Sequence, residues 1–173
     1  MTITRCDIIP VPEKSYIRSD SVTMIKLRPH HLIDIIRNIG QERPVVPHPY
    51  GHAQHTITQA ILDGAEQEIL ITIGADDLCK PCIHISREGI CDDVLPQFDD
   101  RTSKQTYNDE LDARLLANLG LKNGSVILLK DFLQLIGKDI RKLTEICTHP
   151  KEDENSRRMG MEKGVERLRR LLE

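Results

Sequence analysis

The sequence predicts a small α+β domain, mostly helical with a short sheet, and three observations carry that reading. Apolar residues recur at helical spacing, as at Leu32, Ile35, Ile36 and Ile39, or at Leu111, Leu115 and Leu119. Two short runs, Glu68 to Thr72 and Val126 to Leu129, are apolar and bounded by polar or turn residues, so they read as strands. Between them Cys79, Cys82 and Cys91 crowd onto one loop, and thiolates gathered so closely mark it as a metal-binding cysteine loop.

Residues 1–23 hold Pro10, Pro12 and a polar Ser/Asp/Ser run and read as an N-terminal extension; residues 24–173 read as a single metal-binding domain ending in an amphipathic helix. Pro29 suits the first turn of a helix that Gly40 ends, with Leu32, Ile35, Ile36 and Ile39 on its buried stripe. On that helix His30 aligns with Asp34 and Arg37 on the polar side, and His31 lies nearer Ile35 and the core. After a loop with Pro44, Pro47 and Pro49, Ala53 to Asp63 reads as a second helix stopped by Gly64.

Beyond the cysteine loop, Asn108 or Asp109 is placed to cap a helix through Leu111, Leu115 and Leu119, with Gly120 as its stop. Lys122 to Ser125 forms a turn, and Asp131 to Ile136 and Ile140 to Cys147 continue as helices. Glu152 to Leu172 repeats Met161, Val165, Leu168 and Leu172 among alternating charges, the pattern of an amphipathic helix docked on the body.

Composition narrows the partners. The 24 basic and 27 acidic side chains leave a net charge of -3, and three tyrosines and two phenylalanines offer few stacking platforms, so no nucleic-acid surface is expected. No apolar run suits a signal peptide or a bilayer span, so a cytoplasmic protein without membrane contact is expected. In a reducing compartment five cysteines, an odd number, read as thiols or ligands rather than as disulfides.

Cys79 and Cys82 form a CxxC pair, and the eight-residue gap to Cys91 lets the loop return with a third thiolate. Cys147 offers a fourth; Cys6, in the extension, is not expected to be a ligand. Sulfur ligation suits both zinc and iron–sulfur clusters. His84 completes a Cys3His set for zinc, whereas a CxxC pair with one further local cysteine also fits a cluster that keeps one iron free of cysteine. A thioredoxin-like site needs a long helix after its first cysteine, and Ile83 to Gly89 is too short and glycine-broken for one. His30, His31 and Asp34 are candidates for acid–base groups or ligands, since a carboxylate one turn along can orient an imidazole. His48, His52 and His55 are expected at the surface, with at most the last two aligned.

Two separated motifs, Leu27-Arg28-Pro29-His30-His31-Leu32 and Asp76-Asp77-Leu78-Cys79-Lys80-Pro81-Cys82 with Cys91 after it, resemble a family of small bacterial and archaeal proteins of unknown function described as iron–sulfur binding. The resemblance runs from about Met24 to Cys147 and includes the Leu119 to Gly124 turn. Relatives often carry a cysteine where this chain has Asp34, and a second cysteine cluster of which only Cys147 stands here. The resemblance implies the metal and leaves the reaction open.

Together these readings lead to an iron–sulfur protein, [4Fe-4S] in type, bound by Cys79, Cys82 and Cys91 with Cys147 or a non-cysteine ligand fourth. An open iron beside His30, His31 and Asp34 would act on a small-molecule substrate as Lewis acid or sulfur acceptor; a closed cluster would serve a redox partner protein in electron transfer or sensing. The alternative is a zinc-stabilised binding module. The sequence holds no phosphate loop, nucleotide fingerprint or nucleophile elbow.

Overall fold

The computed structural model describes residues 23–63, 67–98, 102–148 and 151–173. The expected N-terminal arm, Cys6 and the helix stop at Gly64 lie outside the described residues. Within them the chain runs β1 (Thr23–Leu27), α1 (Pro29–Gly40), α2 (Gln54–Leu62), β2 (Gln67–Ile71), α3 (Lys104–Leu119), β3 (Val126–Leu128), α4 (Leu129–Ile136), α5 (Ile140–Ile146) and α6 (Glu154–Leu171). A three-stranded sheet with far more helix than strand makes this the expected small α+β domain.

The sheet has the order β1-β2-β3. β1 pairs parallel to β2, with Thr23 opposite Gln67 and Leu27 opposite Ile71, and β3 pairs antiparallel on the far side of β2. Ile25, Leu27, Ile69 and Ile71 are buried while Met24 is exposed, the alternation of a strand with one face on the core. β1 is the element that sequence reasoning missed: five residues with a lysine among them are too short to stand out without the partner strand.

α1 keeps its expected bounds, with Arg28 extended before it and Pro29 in the first turn. Its apolar side is wider than the periodicity suggested, because Ile33 is buried along with Leu32, Ile35, Ile36 and Ile39. α6 packs along α1 with no room between them at the glycines. A methyl added at Gly40 would collide with the backbone of Gly160 and Gly164, and one at Gly164 with the carbonyl of Ile36. Phe132, Leu133, Leu129 and Ile136 of α4 fill the core beside the sheet.

α3 corrects the sequence reading. It begins at Lys104, capped by Ser103 whose side chain accepts from the Thr106 N–H, and so starts before Asn108 and Asp109. Asp109 and Asp112 therefore lie inside the helix, where their carboxylates serve tertiary partners instead of a helix end. Gly120 closes α3 at φ 67°, as expected. No helix among the described residues is long and apolar enough to cross a membrane.

Candidate metal centre and adjoining cavity

Parallel pairing of β1 with β2 brings the two sequence motifs together, because both strands deliver their C-terminal ends to the same edge of the sheet. Arg28, His30 and His31 leave β1 there, and the Asp76 to Cys82 segment follows β2. The junction is hydrogen-bonded: the Lys26 N–H donates to Asp77 Oδ2 and the Arg28 N–H to Asp76 Oδ2, each at 2.8 Å. The Asp77 N–H returns a bond to the Lys26 carbonyl at 3.0 Å.

Asp76 is the hub. Its Oδ2 stands 2.8 Å from Nδ1 of His31, and its Oδ1 accepts from the Cys79 N–H at 3.0 Å. Ligand atoms of His31, Asp76 and Cys79 all lie within 4.8 Å of one another, a group able to hold a metal ion. A carboxylate that holds one imidazole nitrogen and leaves the other outward is the usual support of a metal-ligating histidine. Burial alone would raise the Asp76 carboxyl, but the charge and hydrogen bond of His31 and the Arg28 N–H hold it well below the ordinary carboxylate range.

The loop folds back as its spacing requires. The Cys82 N–H donates to the Cys79 carbonyl at 2.8 Å, Ile85 forms a bridge with Cys91, and the Cys91 N–H donates to Gln105 Oε1 at 2.9 Å. No helix starts at Cys79, the next being α3 at Lys104, so the thioredoxin arrangement is absent from the described residues. Cys79, Cys82 and Cys91 all line one small cavity of about 60 Å3, together with His31 and His84. His84 has its own support, with Nδ1 at 2.9 Å from Asp92 Oδ1. Burial and then the Asp76 charge push the Cys79 thiol up to about 12, so the thiol keeps its proton until a cation takes its place. Among the described residues Cys82, Cys91 and His84 border the same space without joining the close group of His31, Asp76 and Cys79, and sulfur with carboxylate-held imidazole is donor chemistry that suits a metal.

A larger cavity of about 580 Å3 adjoins the first, sharing His31, Tyr50, His52, Leu78 and Lys104. It contains the other expected residues: His30, Asp34 and Cys147 line it, and Cys147 does not line the smaller one. Cys147 is buried, and burial with the Asp34 charge raises its thiol to about 12. His52, expected at the surface, is half-buried and borders both cavities, its ring stacked on His48 at 4.0 Å.

His30 and His31 exchange the places expected of them. His30 is the more buried, at 6%, and Arg37 is buried too, so the face of α1 read as polar is covered. The reason is tertiary. Asp112 of α3 reaches across with Oδ1 2.8 Å from His30 Nδ1, and its Oδ2 accepts from Arg28 Nε at 2.6 Å, while Arg28 also pairs with Asp109. Burial, with His31 beside it, lowers the His30 pKa. The rings of His30 and His31 lie 4.2 Å apart.

Asp112 and Asp76 are the residues whose roles sequence reasoning missed. For Asp112 a signal existed: it stands three and four places before Leu115 and Leu116, on the apolar stripe of α3, where an unpaired acid would be costly. For Asp76 there was only its place beside the cysteines.

No curated protein and no solved structure matches the chain. A family model does: the one described as a protein of unknown function, DUF1284, matches residues 50–151. That stretch holds Cys79, Cys82, Cys91 and Cys147 and begins after the paired histidines. Covering more than half of the sequence, the match identifies this chain as a member of the DUF1284 family.

Proposed function

We propose that the loop of Cys79, Cys82 and Cys91 binds an iron–sulfur cluster of [4Fe-4S] type, with His31 as the fourth ligand, and that His30 and Asp34 face a small-molecule substrate beside it. The observation that carries this reading is that the three loop thiols border one cavity with an imidazole already oriented by Asp76. At about 60 Å3 that space is several times the roughly 10–15 Å3 one water needs, which favours a cluster over a single ion. Cys147 is the competing fourth ligand; it borders the larger cavity instead.

When bound, a cluster with a labile histidine ligand would supply a Lewis-acidic iron or an acceptor for sulfur. The chain's own contribution is orientation. A carboxylate only accepts hydrogen bonds when ionised, so His30 and His31 carry their protons on Nδ1 and present Nε2 as the free nitrogen. Both rings border the cavity of about 580 Å3, a volume suited to a small molecule.

One observation favours a second reading. His84 borders the thiol cavity with its Nδ1 held by Asp92, completing a Cys3His set suited to structural zinc. In that case the metal folds the loop and function lies in a partner surface.

Anaerobic purification with metal and acid-labile sulfide analysis, alongside the visible spectrum, separates the two. Brown protein with comparable iron and sulfide supports the cluster. Colourless protein with one zinc per chain transfers the case to the binding module, and full metal content and stability in Cys79→Ser overturns both.

A further inference from the structure

We propose that the cavity of about 580 Å3 takes an uncharged small molecule that offers a hydrogen-bond donor, a hydroxyl or N–H group, to His30. This rests on the reading of that cavity as the substrate site and names the class of substrate. Three acidic side chains, Asp34, Asp93 and Glu152, and three basic ones, Arg37, Lys104 and Arg157, line the space. They are paired with one another. Arg37 Nη1 stands 2.9 Å from Asp34 Oδ1, Lys104 Nζ stands 3.0 Å from Asp93 Oδ2, and Arg157 pairs with Glu152. A carboxylate or an ammonium entering the cavity would have to break one of these pairs or go without a counter-charge, and a charge that leaves water unpaired is costly. A neutral molecule meets neither cost.

The rest of the lining agrees. Arg43 also reaches Glu152, at 3.7 Å, but it stands outside the lining with its side chain 48% exposed, where water screens the charge. Burial and the neighbouring His48 lower the His52 pKa to about 4, so that ring adds no charge at neutral pH. Leu78, Val94, Leu95 and Leu111 supply apolar wall, and Gln54, Gln97 and Asn108 supply amides that donate or accept. His30 fixes the polarity of one contact. Its Nδ1 stands 2.8 Å from Oδ1 of the fully buried Asp112, whose Oδ2 accepts from Arg28 Nε. An ionised carboxylate only accepts, so the ring proton sits on Nδ1 and Nε2 is the acceptor. A ligand that donates is its complement.

Benzyl alcohol, anisole, benzoate and benzylammonium test this, since each carries one phenyl ring and the first two are isomers of which only the alcohol donates. Each is titrated at neutral pH into full-length wild type, Asp34→Asn and His30→Phe by ligand-observed NMR, with iron and sulfide measured on the same samples. Benzyl alcohol is expected to saturate, with the two charged probes weaker by roughly tenfold or more and anisole by roughly threefold or more. Asp34→Asn takes the counter-charge from Arg37 and should bind benzoate roughly fivefold more tightly than wild type does. In His30→Phe the alcohol should lose its lead over anisole. A charged probe or anisole that equals the alcohol in wild type, no saturable binding of the alcohol, benzoate affinity unmoved in Asp34→Asn, or a lead kept in His30→Phe overturns the proposal. Should His30→Phe fail to fold, the ranking in wild type and the benzoate shift in Asp34→Asn decide. Saturation led by a charged probe counts against this substrate class and leaves the cavity as a site; alcohol binding without iron or sulfide counts against the cluster alone.

Discussion

Asp112 Oδ1 stands 2.8 Å from Nδ1 of His30 and 3.0 Å from its backbone N–H, across 82 positions of sequence. With Oδ2 accepting from Arg28 Nε, one carboxylate of α3 clasps the end of β1 and the start of α1. Burial would raise this carboxyl, but His30 and Arg28 outweigh burial and hold it below the usual range. The clasp therefore sets both the angle of α1 and the free nitrogen of His30.

Asp112→Asn keeps the shape and withdraws the charge, stranding buried Arg28 with one partner fewer. A loss of about 3 kcal/mol at neutral pH is expected in denaturant titration. The pH dependence follows from the lowered carboxyl: its contribution is full above the unfolded carboxylate pKa of about 4 and is lost as pH falls through the lower folded value. Wild type and variant should converge in stability on acidification; a gap that widens instead contradicts a stabilising charge.

Metal content distinguishes the two candidates for the fourth ligand. His31→Ala is expected to lose most of its iron and sulfide, as are Cys79→Ser, Cys82→Ser and Cys91→Ser, whereas Cys147→Ala retains both. Asp76→Asn, which loosens the hold on His31, should weaken metal affinity by roughly 10–100-fold. Iron and sulfide retained in His31→Ala but lost in Cys147→Ala reverses the assignment.

Gly164→Ala tests the contact of α1 with α6. On helix propensity alone the change gains up to about 1 kcal/mol. The new methyl would run into the Ile36 carbonyl, which is backbone and cannot rotate away, so a net loss of about 1–3 kcal/mol is expected. Thermal melting reads the sign directly, and a raised midpoint would show that the helices are further apart than described.

Ser103→Ala removes the cap of α3 and should cost about 1 kcal/mol by chemical denaturation. Were the helix to begin at Asn108 or Asp109 instead, the substitution would fall in a loop and cost almost nothing.

The chain's local order was readable from its residues. Pro29 and Gly40 bound α1, Gly120 ends α3, and the spacing of Cys79, Cys82 and Cys91 returns three thiols to one cavity, because each depends on contacts within a few residues. What only tertiary structure decided is which side chains meet across the fold. Parallel pairing of β1 with β2 puts His31 on Asp76, the early start of α3 turns Asp109 and Asp112 toward Arg28, and glycines on α1 and α6 let Arg37 sink into a wall. Helical periodicity marks a charged face as solvent-facing by default. That default fails at α1, where buried carboxylates from α3 and the cysteine loop satisfy the histidines and a second helix covers the arginine.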